Sequence, residues 1–133
     1  MIMETNDRPL GWTTIDESQA LMKIGLKPES ADMCYVGHDN GGNWIGYPMP
    51  SDFSKLNEKK ITPILPCWSL GKLKSLLPRE IDGCRYVTSS IVGDIISIAY
   101  LGDYGQTLCA KTRHTEIEAV VAMVLDLLNK EYM

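Results

Sequence analysis

The chain has 133 residues, 44% of them apolar and 23% charged, the profile of one ordinary globular domain and not of a disordered or collagen-like chain. Acids outnumber bases by 17 to 13, for a net charge of −4, the opposite of the basic excess with which proteins grip nucleic-acid phosphates. The longest uninterrupted apolar run, Ala119 to Leu125, has seven residues, whereas a membrane-spanning helix needs about 20.

The first residues, MIMETNDRPLGW, carry neither a basic n-region nor an apolar h-region, so no secretory signal is expected. Thr14-Ile15-Asp16-Glu17 then has the capping-box pattern, a hydroxyl residue followed three places on by glutamate. It predicts a helix from Ile15 through Leu21 and Ile24, stopped at Gly25, because glycine suits the left-handed position after a helix. Pro28-Glu29-Ser30-Ala31 predicts one short helical turn. Cys34 stands where a buried strand residue is expected. The stretch from Gly37 to Pro63 is the least regular, with Asn40-Gly41-Gly42-Asn43 and Tyr47-Pro48-Met49-Pro50. It reads as a long connection, which in a compact domain is functional or mobile.

A further helix is predicted after Ser69, with Leu70, Leu73, Leu76 and Leu77 as its apolar face and Pro78 as its stop. The pattern then changes period. Cys84 to Val92, Ile95 to Leu101 and Gln106 to Lys111 are rich in Ile, Val, Tyr and Thr and are separated by turn residues. Gly93-Asp94 reads as a two-residue hairpin loop. That loop sets Ile91 opposite Ile96, Ser89 opposite Ile98 and Val87 opposite Tyr100, with Tyr86, Thr88 and Ser90 on the more polar face. In the third strand either Thr107 and Cys109 or Leu108 and Ala110 face inward. Thr115 to Glu118 repeats the capping box, and Ile117, Val120, Val121, Val124, Leu125 and Leu128 form one helical stripe. It marks a C-terminal helix from about Glu116 to Lys130. The expected fold is a single α+β domain spanning 1–133. A three-stranded or larger antiparallel meander packs against the C-terminal helix, with two further helices N-terminal to the sheet.

Three stretches, TTIDESQALMKIGLKPESADMCYV, ILPCWSLGKLKSLLP and the closing TEIEAVVAMVLDLLNKEYM, make up roughly half the chain. In them the sequence resembles small uncharacterised proteins carried by phages and mobile elements of Bacteroides-type gut bacteria. The resemblance implies an α+β layout and a bacterial cytoplasmic setting, and it implies no activity.

The chemistry-bearing residues are few. Cys34, Cys67, Cys84 and Cys109 form no CxxC pair; without an export route they read as small buried hydrophobes, not as disulfides. A zinc set could draw on Cys34, His38, Cys67 and His114, but only Cys34-x3-His38 has ligand spacing. A cysteine nucleophile beside His114 competes with the simpler reading of His114 as an exposed residue before a helix. The Asn40 to Asn43 stretch matches neither phosphate-binding glycine pattern, and no Gly-x-Ser-x-Gly elbow occurs. No catalytic residue, cofactor or metal is expected. Lys55, Lys59, Lys60, Lys72, Lys74, Arg79 and Arg85 stand against Glu58, Glu80 and Asp82, so residues 55–85 are locally positive.

The expectation is therefore a cytoplasmic, non-enzymatic protein-interaction or accessory factor of a mobile element. Trp44, Tyr47, Cys67 and Trp68 are its expected contact surface, because tryptophan and tyrosine anchor interfaces. The partner is another protein or a second copy of the chain, with no membrane involved. Two alternatives stand beside it: a nucleic-acid-associated protein using the basic 55–85 segment, and a small enzyme.

Overall fold

The computed structural model describes the backbone of residues 11–40, 43–50, 62–91 and 95–133, and the side chains of 11–36, 65–89 and 95–133. Along the chain run α1 (Ile15–Ile24), a 3-10 turn at Pro28–Ser30, β1 (Met33–Asn40), β2 (Asn43–Pro50), β3 (Thr62–Cys67) and α2 (Leu70–Leu76). There follow β4 (Glu80–Ile81), β5 (Cys84–Ile91), β6 (Ile95–Leu101), β7 (Thr107–Arg113) and α3 (Glu116–Asn129). The strands make two antiparallel sheets, ordered β2-β1-β3 and β4-β5-β6-β7. The α+β class stands. So does an antiparallel meander against the C-terminal helix, here β4-β5-β6-β7; what the sequence reading lacked is a second sheet, which lies between α1 and α2.

The helix ends follow the sequence closely. Thr14 Oγ1 accepts from the Glu17 amide at 3.1 Å, and the Glu17 carboxylate accepts from the Thr14 amide at 2.9 Å. At the far end of α1, Gly25 has φ +111°, and the Leu26 amide reaches back to the Leu21 carbonyl at 3.0 Å. That pairing closes a Schellman motif. Ser69 caps α2 through the Lys72 amide, and its own amide and hydroxyl are held by Asp32 at 2.9 and 2.5 Å. Thr115 caps α3, but its hydroxyl donates to the Glu118 carboxylate at 2.8 Å, so that carboxylate engages the hydroxyl of the capping residue.

The connection expected over 37–63 is corrected in part: it holds the end of β1, all of β2 and the start of β3. Its prolines and glycines hide these strands from a search for alternation. Pro50 and Pro48 pair with Met33 and Tyr35, while Pro66 and Pro63 pair with Cys34 and Val36. A central antiparallel strand sends alternate residues' N–H and C=O groups to opposite neighbours. All four pairs therefore fit non-hydrogen-bonded positions, with each proline nitrogen turned away from β1. Proline is tolerated in a sheet on that outer side of an edge strand. Pro63 and Pro66 are an odd number of residues apart, and the register shift that skips Ile64 brings both to the same side.

In the second sheet the expected register is off by one. Ile91 pairs with Ile95, Ser90 with Ile96, Thr88 with Ile98 and Tyr86 with Tyr100. The Gly93-Asp94 loop itself lies outside the described residues. A one-residue slip exchanges the faces of a strand. Accordingly Val87 is 38% exposed, while Cys84 is buried and Tyr86 meets Tyr100 edge to face at 5.8 Å. On β7 the ambiguity resolves toward Cys109, which is buried opposite Tyr100; a register shift beside it leaves Leu108 half-buried against the core as well.

The main core gathers Leu21 and Leu26 with Trp68, Leu73, Leu77 and Ile81, then Ile98, Tyr100 and the inner residues of α3. In α3, Ile117, Val120, Val124 and Leu127 are fully enclosed, whereas Leu125 and Leu128 are half-buried. The stripe seen in sequence is thus too narrow and slightly rotated. The helix is flanked by β6 and β7, α1 and α2, so Ala119 and Met123 are buried too.

Candidate functional site

Two of the four residues expected to form one contact surface are not at the surface. Cys67 and Trp68 are both completely enclosed. The Trp68 indole N–H donates to Ser30 Oγ at 3.0 Å, and its backbone N–H donates to Thr13 Oγ1 at 3.1 Å. Thr13, itself fully buried, also bonds the Ser18 hydroxyl at 2.8 Å, and its carbonyl accepts from the Tyr35 hydroxyl at 2.5 Å. This network ties the residues before α1 to the end of β3; Cys67 and Trp68 are structural members of it and offer no area to a partner. The side chains of Trp44 and Tyr47 lie outside the described residues. Positions 44 and 47 are both in β2.

The candidate metal and nucleophile groups are similarly scattered. All four cysteines are free and buried. Burial pushes the thiols of Cys67 and Cys109 above the ordinary cysteine value, which keeps them protonated and poorly nucleophilic at neutral pH. Cys67 sits against Thr13, while His114 is exposed just before α3. The His38 side chain lies outside the described residues. Among the described residues no group of three His, Cys, Asp or Glu side chains could hold a metal ion.

The structure instead brings three cations of the basic segment to one place. Lys74, Leu77, Pro78, Arg79, Arg85 and Tyr86 line an open cleft of about 290 Å³. It exists because the chain turns back sharply after α2. Pro78 ends that helix's run, and its carbonyl accepts from the Tyr100 hydroxyl at 2.6 Å. Asp82 and Gly83, with φ +50° and +81°, then form the tight turn between β4 and β5. Asp-Gly is among the strongest short hairpin signals, and it was present in the sequence as a clue to this cleft. The returning strand brings Arg85 and Tyr86 back alongside Arg79, whose carbonyl accepts from the Tyr86 amide at 3.3 Å.

Of the three cations around the cleft, Lys74 is paired and the two arginines are loosely held. Lys74 Nζ donates to Glu116 at 2.9 Å, and that bond holds the ammonium above the ordinary lysine value. Arg85 stands 3.8 Å from Glu80, with both side chains more than half exposed. An exposed pair of this kind contributes about 0–1 kcal/mol. Arg79 is exposed and makes no ion pair among the described residues. Tyr86 adds an anomaly: its hydroxyl oxygen is buried and has no hydrogen-bond partner among the described residues. An unpaired buried hydroxyl costs about 1–3 kcal/mol. Lys72 is two residues from Lys74 on α2, and so about 200° around the helix axis. Lys55, Lys59 and Lys60 lie outside the described residues.

Compared with models of protein families, with curated proteins and with solved structures, the chain matches none. Among the described residues no helix is long and apolar enough to cross a membrane.

Proposed function

We propose that the protein is a non-enzymatic binding module, an accessory factor of a mobile element that acts by docking another protein. The observation that carries this reading is the cleft at the end of α2. Three cations surround a wall formed by Leu77, Pro78 and the Tyr86 ring, a mixture that suits an acidic side chain on an apolar stem. Lys74 and Arg85 already accept carboxylates from within the chain, so acidic groups are the chemistry they select. A nucleic-acid reading draws support from the same three bases, which do share one surface. A polyanion backbone, however, is usually tracked by a longer stripe of positive charge. Here Lys72 projects from a different side of α2, and the whole chain is negative.

The test is charge reversal at the cleft, Arg79→Glu with Arg85→Glu, against a control of Lys23→Glu with Lys27→Glu on and just after α1. Partners captured from host lysate are to be compared at matched thermal stability. The reading expects proteins retained by the parent and the control to be lost by the cleft variant. Retention of all of them by the cleft variant overturns it, and loss of a nucleic-acid component alone favours the second reading.

A further inference from the structure

Resting on the reading of the cleft as a docking site, we propose that the group it takes is a phosphate monoester dianion on a short apolar stem, as a phosphorylated protein side chain supplies. Three features converge. First, the cations number three and approach from different elements: Lys74 from α2, Arg79 from the connection, Arg85 from β5. A dianion with three acceptor oxygens can use donors from several directions, and arginine's planar fork suits phosphate geometry. Second, although Glu116 engages Lys74, the internal acids do not saturate the two arginines. Glu80 reaches Arg85 only at 3.8 Å between exposed groups, and Arg79 has no ion pair among the described residues. Exchanging such a weak surface contact for a doubly charged ligand is favourable. Third, Tyr86 lines the cleft while its buried hydroxyl lacks a partner. With a shift of the ring that uncovers it, that hydroxyl would donate to a phosphate oxygen entering beside Lys74 and lose its unmet state. The apolar part of the lining, Leu77 and Pro78 with the Tyr86 ring, is what a stem would pack on. A bare inorganic ion has no use for it.

The experiment is calorimetric titration of the intact protein at pH 7.5. The ligands are a phosphotyrosine tetrapeptide, its unphosphorylated form, phenyl phosphate, phenyl sulfate and a single-stranded oligothymidylate. The proposal expects saturable binding of the phosphopeptide and phenyl phosphate. Phenyl sulfate, a monoanion of the same shape, should bind at least fivefold more weakly, and the unphosphorylated peptide should not bind. Binding should weaken severalfold between pH 7.5 and 5.5, because the second phosphate ionisation lies near pH 6. Arg79→Ala should reduce affinity at least tenfold, and Tyr86→Phe severalfold with a melting temperature no lower than the parent's. Equal binding of sulfate and phosphate, tighter binding of the oligonucleotide, or full affinity in Tyr86→Phe overturns the proposal. The two ideas fail separately. Partner loss on charge reversal without phosphopeptide binding leaves the docking reading standing and removes the phosphate. Phosphopeptide binding by a protein whose cleft variant keeps every partner does the reverse.

Discussion

In β5, β6 and β7 the strands run through Ile, Val, Tyr and Thr between recognisable turns, and one face of that sheet lies under α3. In β2, β1 and β3 four prolines and two glycines occupy strand positions, and the buried residues Cys34, Tyr35 and Val36 follow one another without alternation. The difference shows what each sheet's composition is for. The helix-packed sheet is legible from its composition and turns, although β6 too buries Ile98, Ala99 and Tyr100 in succession. The outer strands of a small sheet must also refuse further strands, and proline does that while erasing the periodic signal.

The same contrast explains what was legible in the sequence. The three helices were readable because their ends carry local chemistry: Thr14 with Glu17, Gly25, Ser69 and Thr115. The existence of β5 to β7 was readable from composition. Their register was not, because Gly93-Asp94 is an equally good local signal for a loop one residue shorter than the observed pairing requires. What decides it is tertiary: Tyr86 packs inward against Tyr100, and no local rule reports that contact. The contact surface failed for a related reason. Trp68 lies beside proline and looks peripheral along the chain, but Thr13, 55 residues away, encloses it. The basic segment supplies the three cations of the cleft, and the return at Asp82-Gly83 brings Arg85 back alongside Arg79.

The sharpest way to break the link between the two regions is Trp68→Ala. Trp68 belongs to the main core and directly follows β3, so both sheets depend on its anchorage. The expected loss is about 3–5 kcal/mol in a denaturant melt. A loss below about 1 kcal/mol would mean that the two regions stand independently.

Next in size is a pair of substitutions on α3 that locates its buried face. Leu127 is fully enclosed and Leu125 half-buried. Leu127→Ala should cost about 2–5 kcal/mol, and Leu125→Ala under about 2. The reverse order in urea denaturation would restore the stripe read from periodicity and displace the helix orientation described above.

Thr13→Val probes the polar joint at nearly constant volume. It removes the acceptor of the Trp68 amide and the partner of the Ser18 hydroxyl, both buried. Leaving such groups unpaired costs about 1–3 kcal/mol. Thr13→Ser, which keeps the oxygen, should recover most of that loss. If the Val variant melts like the parent, the hydrogen bonds of Thr13 contribute nothing to the joint.

The smallest effect on stability is expected where the proline sheet meets solvent. Pro48→Val with Pro50→Val returns two backbone N–H groups to β2. By the pairing of those positions with Tyr35 and Met33, these donors face outward, away from β1. Donors on the outer side of an edge strand can bond to water, so the expected change in stability is about 0.5 kcal/mol or less, and valine suits a strand. What should change is association. An edge strand with a complete row of donors is a template for another strand, so the variant should show concentration-dependent dimerisation by sedimentation, beyond that of the parent. The converse outcome is equally informative. If the variant associates no more than the parent and loses 2 kcal/mol or more, the restored N–H groups point into the sheet. The register that makes all four prolines outward-facing would then be wrong.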